Sequence, residues 1–150
     1  MPVIGYFTAE IGLWSELHTY SGGLGVLAGD HVKSSADSGI PLVGVTLLYH
    51  QGYARQHIDS NGIQTETFPE FDPDKHLTKT DMTISLKLDG QMLSAHVWKA
   101  DIVGQSGHVV PVYFIDTRHE ANTTEHQSLS SRLYGGDDDM RIRQEYVLGV

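Results

Sequence analysis

The stretch YSGGLGVLAGD, residues 20–30, decides how the fold is interpreted, because it places clustered glycines directly before an apolar run. A flexible linker does not need the leucines, and a core helix disfavours the glycines. Behind the first glycines, apolar residues recur every four positions, at Leu24, Ala28, Val32 and Ala36. This spacing predicts a helix over residues 24–38, with Gly25 and Gly29 beside its apolar face to allow close approach to a sheet.

The segments that flank this helix predict strands. Residues 3–8, VIGYFT, are typical of a short buried strand, and residues 41–49, PLVGVTLLY, of a strand covered on both faces. Gly39 and Pro41 are placed to end the helix between them. Strand, glycine loop, helix and strand form a βαβ unit, so the chain is predicted to be an α/β protein.

The middle of the chain predicts two hairpins. Residues 53–58 and 63–68 flank the turn signal DSNG, and residues 82–88 and 92–100 flank the turn signal DG. Both pairs interrupt the helix-and-strand alternation, so we expect them to be β-hairpin insertions.

The last third of the chain predicts one strand and one helix. Residues 109–115, VVPVYFI, are typical of an apolar strand, and Pro111 predicts an edge or irregular position for it. Residues 117–136 are polar and predict a loop. From about Asp139 to the last residue the pattern is helical, and the preceding acids suit the N-terminal end of the helix dipole.

The amino-acid composition limits the classes of protein to which this chain can belong. The 150 residues are 39% hydrophobic, which is typical of a globular domain, and carry a formal net charge of −9. The basic residues are scattered, so neither a nucleic acid nor an anionic membrane surface is an expected partner. No stretch has the length and apolarity of a membrane span or of a secretory signal. The absence of cysteine excludes disulfides and fits a reducing compartment, the cytoplasm.

Nine histidines are the remaining candidates for a metal site. Their spacings include neither H-E-x-x-H nor H-x-H, and no acid lies between a close pair. We therefore predict ordinary surface or core histidines and no metal site.

The glycines predict an anion site. At a helix N-terminus the free N–H groups point outward and the helix dipole favours negative charge, and glycine lets a ligand approach the backbone closely. Gly22 and Gly23 lie where the predicted helix begins, so a phosphate is the expected ligand. Two alternatives are a plain tight turn and a helix capped by the Ser21 hydroxyl. The stretch matches neither the P-loop nor the G-x-G-x-x-G dinucleotide pattern.

Glu10 is the acid nearest to this loop in the predicted topology. It follows the first strand, at the carboxyl edge where α/β sheets place their ligands. It is placed to accept hydrogen bonds from the loop N–H groups or to orient a substrate hydroxyl, and the plain alternative is a solvated loop acid.

Three stretches together resemble the α-glucan phosphorylases, which act on glycogen, starch or maltodextrin. The resemblance is strongest to the shorter bacterial and archaeal branch of this family. The stretches are YFTAEIGL at 6–13, YSGGLGVLAGDHVKSSADSGIPLVGVTLLYHQGYARQHID at 20–59, and LYGGDDDMRIRQEYVLG at 133–149. The resemblance implies that residues 1–150 are part of the N-terminal Rossmann-like domain of a two-domain GT-B-type glycosyltransferase. The second, cofactor-binding domain lies outside this chain.

The resemblance also implies an activity. In this family the terminal α-1,4-linked glucose of a glucan is transferred to inorganic phosphate, giving glucose 1-phosphate. By position, Gly22 and Gly23 would bind phosphate or the cofactor phosphate, Leu24 would contact the glucose, and Glu10 would hold the loop. Gln144 and Glu145 are expected to serve structure. The full-length enzyme is expected to be a cytoplasmic homo-oligomer.

Pyridoxal phosphate is the cofactor that the resemblance implies, attached to a lysine of the C-terminal domain. The lysines of this chain lie in the wrong segment for that role, namely Lys33, Lys75, Lys79, Lys87 and Lys99. No catalytic residue is assigned to this chain, and we expect residues 1–150 alone to have no phosphorylase activity.

Two rival functions are open at this point. A glycogen or starch synthase has a similar G-G-L-G turn but a Lys-Thr-Gly-Gly-Leu-Gly-Asp pattern, where this chain has Tyr20, Ser21 and Val26 at the discriminating positions. A non-catalytic carbohydrate-binding module would use Tyr53 and Trp98 as aromatic platforms for sugar rings.

Overall fold

The computed structural model describes residues 2–150 as an α/β fold with a mixed sheet and a separate small hairpin. The strands are β1 (Ile4–Phe7), β2 (Leu42–Leu47), β3 (Arg55–Ile58), β4 (Gln64–Thr67), β5 (Thr78–Leu88), β6 (Gln91–Val103) and β7 (Val109–Asp116). The helices are α1 (Gly23–Asp37), α2 (Thr124–Ser128) and α3 (Asp138–Gly149), with a 3₁₀ turn at Pro73–Lys75. Within residues 2–150 no helix has both the length and the apolar character needed to cross a membrane.

The main sheet confirms the predicted βαβ unit. Its five strands follow the order β1-β2-β7-β6-β5, and β1 pairs with β2 in parallel, as β2 does with β7. The other two pairings, β7 with β6 and β6 with β5, are antiparallel. A parallel half built around α1 is thus joined to an antiparallel half in one sheet.

One of the two predicted insertions is part of this sheet. The hairpin of β3 and β4 is separate, as expected, and turns at the predicted DSNG signal. The hairpin of β5 and β6 instead continues the main sheet, because β6 pairs with β7 over eight registered positions from His96 to Val103. The prediction of an insertion was wrong there, since strand pairing beyond the hairpin is not visible in local sequence.

The first strand is not the buried strand that its apolar sequence predicts. β1 forms the edge of the sheet, and Ile4 and Phe7 are about half exposed. Only β2 pairs with it, so one side and part of its faces remain uncovered within residues 2–150. In contrast, β2 is buried, as predicted, between β1 and β7.

Pro111 does not mark an edge strand. β7 lies at the centre of the sheet, between β2 and β6. The registered pairing of β7 with β2 begins only at Val112, whereas Pro111 pairs with Asp101 of β6. Proline is tolerated there because the strand has a single registered neighbour at that position, so no second ladder requires its missing N–H.

Helices cover both faces of the sheet. On one face Ala28, Val32 and Ala36 of α1 pack in a buried cluster with Val112 and Phe114 of β7. On the other face, Val147 and Leu148 of α3 join a second buried cluster with residues of β2, β6 and β7. The predicted helices at 24–38 and near 139–150 are thereby confirmed to within a residue or two.

Loop 117–136 is more ordered than its polar sequence predicts. It contains the short helix α2, whose N-cap Thr123 accepts the backbone N–H of His126. Gln144 of α3 is buried and donates to the carbonyls of Leu129 and Arg132, at 2.7 and 3.2 Å. The predicted structural role of Gln144 is confirmed, while Glu145 is exposed.

Candidate functional site

The glycine loop leads directly into an uncapped helix. α1 begins at Gly23 with Gly22 as its N-cap, and no capping side chain accepts a hydrogen bond from the amides of the first turn. The N–H of Gly22 itself makes only a long contact, at 3.5 Å, with the carboxylate of Glu10. The alternative in which the Ser21 hydroxyl caps the helix is therefore wrong. Without a cap, the first-turn N–H groups of α1 keep their hydrogen-bonding capacity for another acceptor.

Open space surrounds the first two glycines of the loop. A Cβ built on Gly22 or Gly23 meets no heavy atom within 4 Å, and the side chain of Leu24 is 52% exposed. The backbone of Gly22 is extended, with φ of −160°, so neither strain nor packing requires glycine there. The bare backbone leaves the helix terminus accessible to a ligand.

Glu10 is buried directly beneath this loop, with only 3% of the residue exposed. Its Oε2 accepts the backbone N–H of Ser21 at 3.0 Å and, at the long limit of 3.5 Å, that of Gly22. The interpretation of Glu10 as a solvated loop acid is thus wrong, and the predicted hydrogen bonding to the loop is confirmed. The carboxylate fixes the loop entrance and lies at the N-terminal end of α1.

Gly25 and Gly29 serve close packing, but not against the sheet as predicted. A Cβ on Gly29 would lie 1.9 Å from the carbonyl oxygen of Gly12, and one on Gly25 would lie 2.3 Å from Cβ of Tyr20. Gly12 also donates its backbone N–H to the Gly25 carbonyl, at 2.8 Å. The first turns of α1 are therefore packed against the loop that carries Glu10, which holds carboxylate and helix terminus together.

Tyr134 completes the surroundings of Glu10, and sequence reasoning did not find it. Its hydroxyl donates a hydrogen bond to Oε1 of Glu10. Burial, this hydrogen bond and the negative charge of Glu10 raise the pKa of Tyr134 to about 12, so the hydroxyl stays protonated as a donor. Its backbone has a φ of 55°, a left-handed conformation within the turn before α3. The only signal in the sequence was the glycine pair that follows it.

The residues predicted to act together are brought together. Gly22, Gly23 and Leu24 form the start of α1, and Glu10 lies under it. Lys33 lies ten positions along α1 from Gly23, about 15 Å at the usual helical rise. Lys75 and Lys99 form ion pairs with Asp72 and Asp101, which lie elsewhere.

The aromatic platform of a carbohydrate-binding module is not formed. Trp98 lies on β6 within the first buried cluster and is 5% exposed, with its indole N–H donated to Asp116 at 3.3 Å. Tyr53 is about half exposed, whereas Trp98 is buried, so the two side chains do not share an exposed surface. A stacking surface built from both residues is therefore excluded.

An α/β unit with an uncapped, glycine-lined helix terminus over a buried carboxylate defines a candidate anion-binding protein. Comparison with known proteins makes the relationship specific. The chain is 40% identical, over 98% of its length, to a glycogen phosphorylase of Mycobacterium tuberculosis. It is 38% identical, over 99% of its length, both to a maltodextrin phosphorylase of Thermococcus litoralis and to a glycogen phosphorylase of Aquifex aeolicus. No protein-family model matches it.

The chain is homologous to one segment of the glycogen and maltodextrin phosphorylases, as its sequence motifs predict. It spans 17%, 18% and 22% of the lengths of these three relatives, in the order given above. The relationship therefore concerns the glycine loop and the sheet around it, and the activity of the whole relatives is a separate question.

Proposed function

We propose that this chain forms the glycine-loop part of an α-glucan phosphorylase, in the N-terminal Rossmann-like domain of a two-domain GT-B architecture. Such an enzyme transfers the terminal α-1,4-linked glucose of glycogen, starch or maltodextrin to inorganic phosphate and gives glucose 1-phosphate. The observation that supports this proposal best is the uncapped start of α1, where Gly22 and Gly23 leave the backbone open.

Phosphate binding is the proposed role of the amides at Gly22 and Gly23. Neutral N–H donors at a helix terminus stabilise negative oxygen without offering a competing proton, and they are already oriented before the ligand arrives. The Oε2 atom of Glu10 accepts the Ser21 N–H at 3.0 Å and holds the loop entrance in place. Its contact with the Gly22 N–H, at 3.5 Å, is long enough for a phosphate oxygen to replace it.

Leu24 is the proposed glucose contact. It lies on the first turn of α1, one residue beyond the amides, with half of its side chain exposed. An apolar side chain at this position packs against the C–H face of a sugar ring while the adjacent amides bind the phosphate. Glucose and phosphate would then meet at one end of the helix.

The site fits the phosphate of pyridoxal phosphate as well as it fits inorganic phosphate, because the same open amides serve either anion. When bound, this cofactor supplies a phosphate group that acts as the acid–base partner of the substrate phosphate. The residues that would approach it from this chain are Gly22 and Gly23. We propose that its lysine, and the remaining phosphate ligands, lie outside residues 1–150, and that this chain alone releases no glucose 1-phosphate from maltodextrin.

Location and assembly are proposed from the relatives. We place the enzyme in the cytoplasm, with α-1,4-glucan and inorganic phosphate as its partners, and expect the full-length enzyme to be a homo-oligomer. The acidic composition, with a net charge of −9, supports neither a nucleic acid nor a membrane surface as a further partner.

A chimera tests this function directly. Residues 1–150 replace the matching segment of the Thermococcus litoralis maltodextrin phosphorylase, and glucose 1-phosphate release from maltodextrin is measured. We expect the chimera to be active. Gly23→Val keeps the backbone N–H but places a branched side chain beside it, so we expect kcat/KM to fall by at least about tenfold, since a displacement of about 1 Å in an active site can cost about 100-fold. Gly149→Val is the matched control, because Gly149 is also helical with open space around its Cβ position.

Two results would contradict the proposal. A folded chimera that binds pyridoxal phosphate but has no activity would show that this segment does not perform the phosphorylase role. Equal activity of the Gly23→Val and Gly149→Val chimeras would exclude the amides as phosphate donors. Release of glucose 1-phosphate by the 150-residue chain alone would show that the reaction needs no further groups.

A further inference from the structure

Three side chains with metal-binding atoms meet beside the main sheet, apart from the residues of the glycine loop. His96 lies on β6, and His119 and Glu120 lie in the loop that follows β7. One ligand atom from each residue lies within 4.8 Å of the other two. We propose that these three residues bind a divalent transition-metal ion, with Zn²⁺ as the best match to two imidazoles and one carboxylate.

The distances suit a single small cation. His96 Nε2 lies 3.4 Å from Oε2 of Glu120, and His119 Nδ1 lies 3.7 Å from the same oxygen. Ligands at about 2.0–2.1 Å from a tetrahedral Zn²⁺ are separated from one another by roughly 3.4 Å. The two measured edges are therefore already close to those of a zinc site, and only small side-chain shifts are needed to bind the ion.

The two imidazoles lie close enough together to bind the same metal ion. Their rings stack with centroids 4.5 Å apart, and one nitrogen of each faces the same carboxylate oxygen. Both rings are largely shielded, with side chains 20% and 15% exposed, whereas Glu120 is 81% exposed.

The loop that carries His119 and Glu120 is fixed by its next buried residue. Asn122 accepts the backbone N–H of Ser94 at 2.8 Å and donates to the Ser94 and Thr117 carbonyls at 2.6 and 2.7 Å. These bonds join the loop to β6 two residues away from His96. The ligands are thus held close together before any ion binds, which lowers the cost of ordering them.

One existing hydrogen bond opposes binding through Nδ1 of His119. The backbone N–H of Ala121 donates to this nitrogen at 3.2 Å. Ala121 is exposed, so water takes over its N–H when the metal replaces it. The free energy lost with this hydrogen bond is therefore small compared with the free energy gained from three metal–ligand bonds.

The structure also explains why the sequence predicted no metal site. His96 lies on β6, and His119 lies 23 positions later in the loop after β7. They come together because β6 and β7 pair in antiparallel register, with His96 opposite Asp116 at the end of β7. Motif spacing detects ligands on one helix or one turn, not ligands joined by strand pairing. With three protein ligands, the fourth position of the ion is left to water or to an external group.

Zinc binding to the untagged 150-residue chain tests the proposal. Isothermal titration with ZnCl₂ gives stoichiometry and affinity, and Co²⁺ absorption reports whether the ion has the intense visible bands of a four-coordinate site. We expect one ion per chain and a loss of affinity of at least about tenfold in His96→Ala and in His119→Ala, since loss of mere outer-shell partners already costs about 10–100-fold. His57→Ala is the control, because His57 lies on the separate hairpin and contacts Thr67.

Folding of each variant is checked by circular dichroism in EDTA, and a Glu120→Gln variant supplies a change on the exposed side of the site. The side chain of Glu120 is 81% exposed and Gln is nearly the same size, so we expect this variant to fold even where a histidine variant fails. The proposal is overturned if the chain binds no zinc, or if Glu120→Gln and the histidine variants bind zinc as tightly as the His57→Ala control.

Discussion

The Tyr134 hydroxyl donates a hydrogen bond to Oε1 of Glu10, and so joins two residues 124 positions apart. The other oxygen of the same carboxylate accepts the backbone N–H of Ser21 at the entrance of the glycine loop. Glu10 is thus a buried link between the start of α1 and the turn before α3. The geometry of the proposed anion site therefore depends on a contact between residues far apart in the chain.

Tyr134→Phe removes this link while it keeps the ring. We expect the free energy of unfolding to fall by about 1.5–3 kcal/mol, the range for a hydrogen bond to a charged group, as measured by urea denaturation. Tyr146→Phe is the control. Tyr146 lies on α3 and is about 40% exposed, and removal of its hydroxyl should change the free energy of unfolding little. Equal effects of the two variants would contradict the role assigned to Tyr134.

Glu10→Ala has a different consequence, because it leaves the N–H of Ser21 and the hydroxyl of Tyr134 without their acceptor. We expect a loss of about 1.5–3 kcal/mol in the free energy of unfolding, the range for hydrogen bonds to a charged group, because two part-buried hydrogen bonds to one carboxylate are lost. Backbone NMR shifts should change mainly at residues 20–25 and around Tyr134. Glu16→Ala, at an exposed position, provides the comparison, and a Glu10 variant no less stable than it would be evidence against the buried link.

A pair of glycine substitutions separates packing from ligand access. Gly29→Ala should destabilise by about 3 kcal/mol, because its Cβ would lie 1.9 Å from the Gly12 carbonyl oxygen and the loop must move. Gly22→Ala should change stability by less than about 1 kcal/mol, since its backbone is extended and its surroundings are open. Thermal and urea unfolding measure both. Similar losses in the two variants would mean that the first glycines are also needed for packing.

Asp116 gives the fold a predictable dependence on acid. Burial raises the pKa of this carboxyl, but the hydrogen bond and charge of His50, at 2.9 Å, and the N–H groups of Arg118 and Trp98 outweigh burial and hold the pKa below its usual value. A pKa lower in the folded than in the unfolded chain stabilises the fold above the unfolded value, about 3.9, and this stabilisation is lost as pH falls through the folded value.

Asp116→Asn removes that titration. We expect the difference in unfolding free energy between the original chain and this variant to shrink as the pH falls below about 4. Asp101→Asn, on a surface residue paired with Lys99, is the control. A difference that does not depend on pH in the acid range would show that the Asp116 carboxylate has no such role.

Local sequence was sufficient for the elements around the glycine loop. The four-residue apolar repeat and Gly39 placed the helix at 24–38, and α1 spans Gly23–Asp37 with Gly39 in the left-handed region at φ of 67°. The turn signals DSNG and DG identified both hairpins. Each of these features is set by residues within a few positions of one another, which is why their pattern is visible in sequence.

Features that depend on pairing between segments far apart in the sequence were not predicted. The exposure of β1, the central place of β7 and the continuation of the sheet into β6 and β5 depend on strand order, which local patterns do not contain. The same holds for Tyr134 beneath the loop and for the meeting of His96 with His119. The residue pattern had already identified the glycine loop and Glu10 as a possible partner of its amides, and the family resemblance added their roles. Only the fold showed that this carboxylate is buried.

Phosphate titration followed by heteronuclear NMR tests the central claim most directly. Inorganic phosphate is added to the 150-residue chain at low ionic strength, with chloride at matched ionic strength as the control. We expect saturable amide shifts concentrated at Gly22, Gly23 and the first turn of α1, with little change at Gly62 and Gly107, which lie in turns with positive φ. Shifts at Gly22 and Gly23 no larger than those at the turn glycines, or equal shifts with chloride, would contradict it.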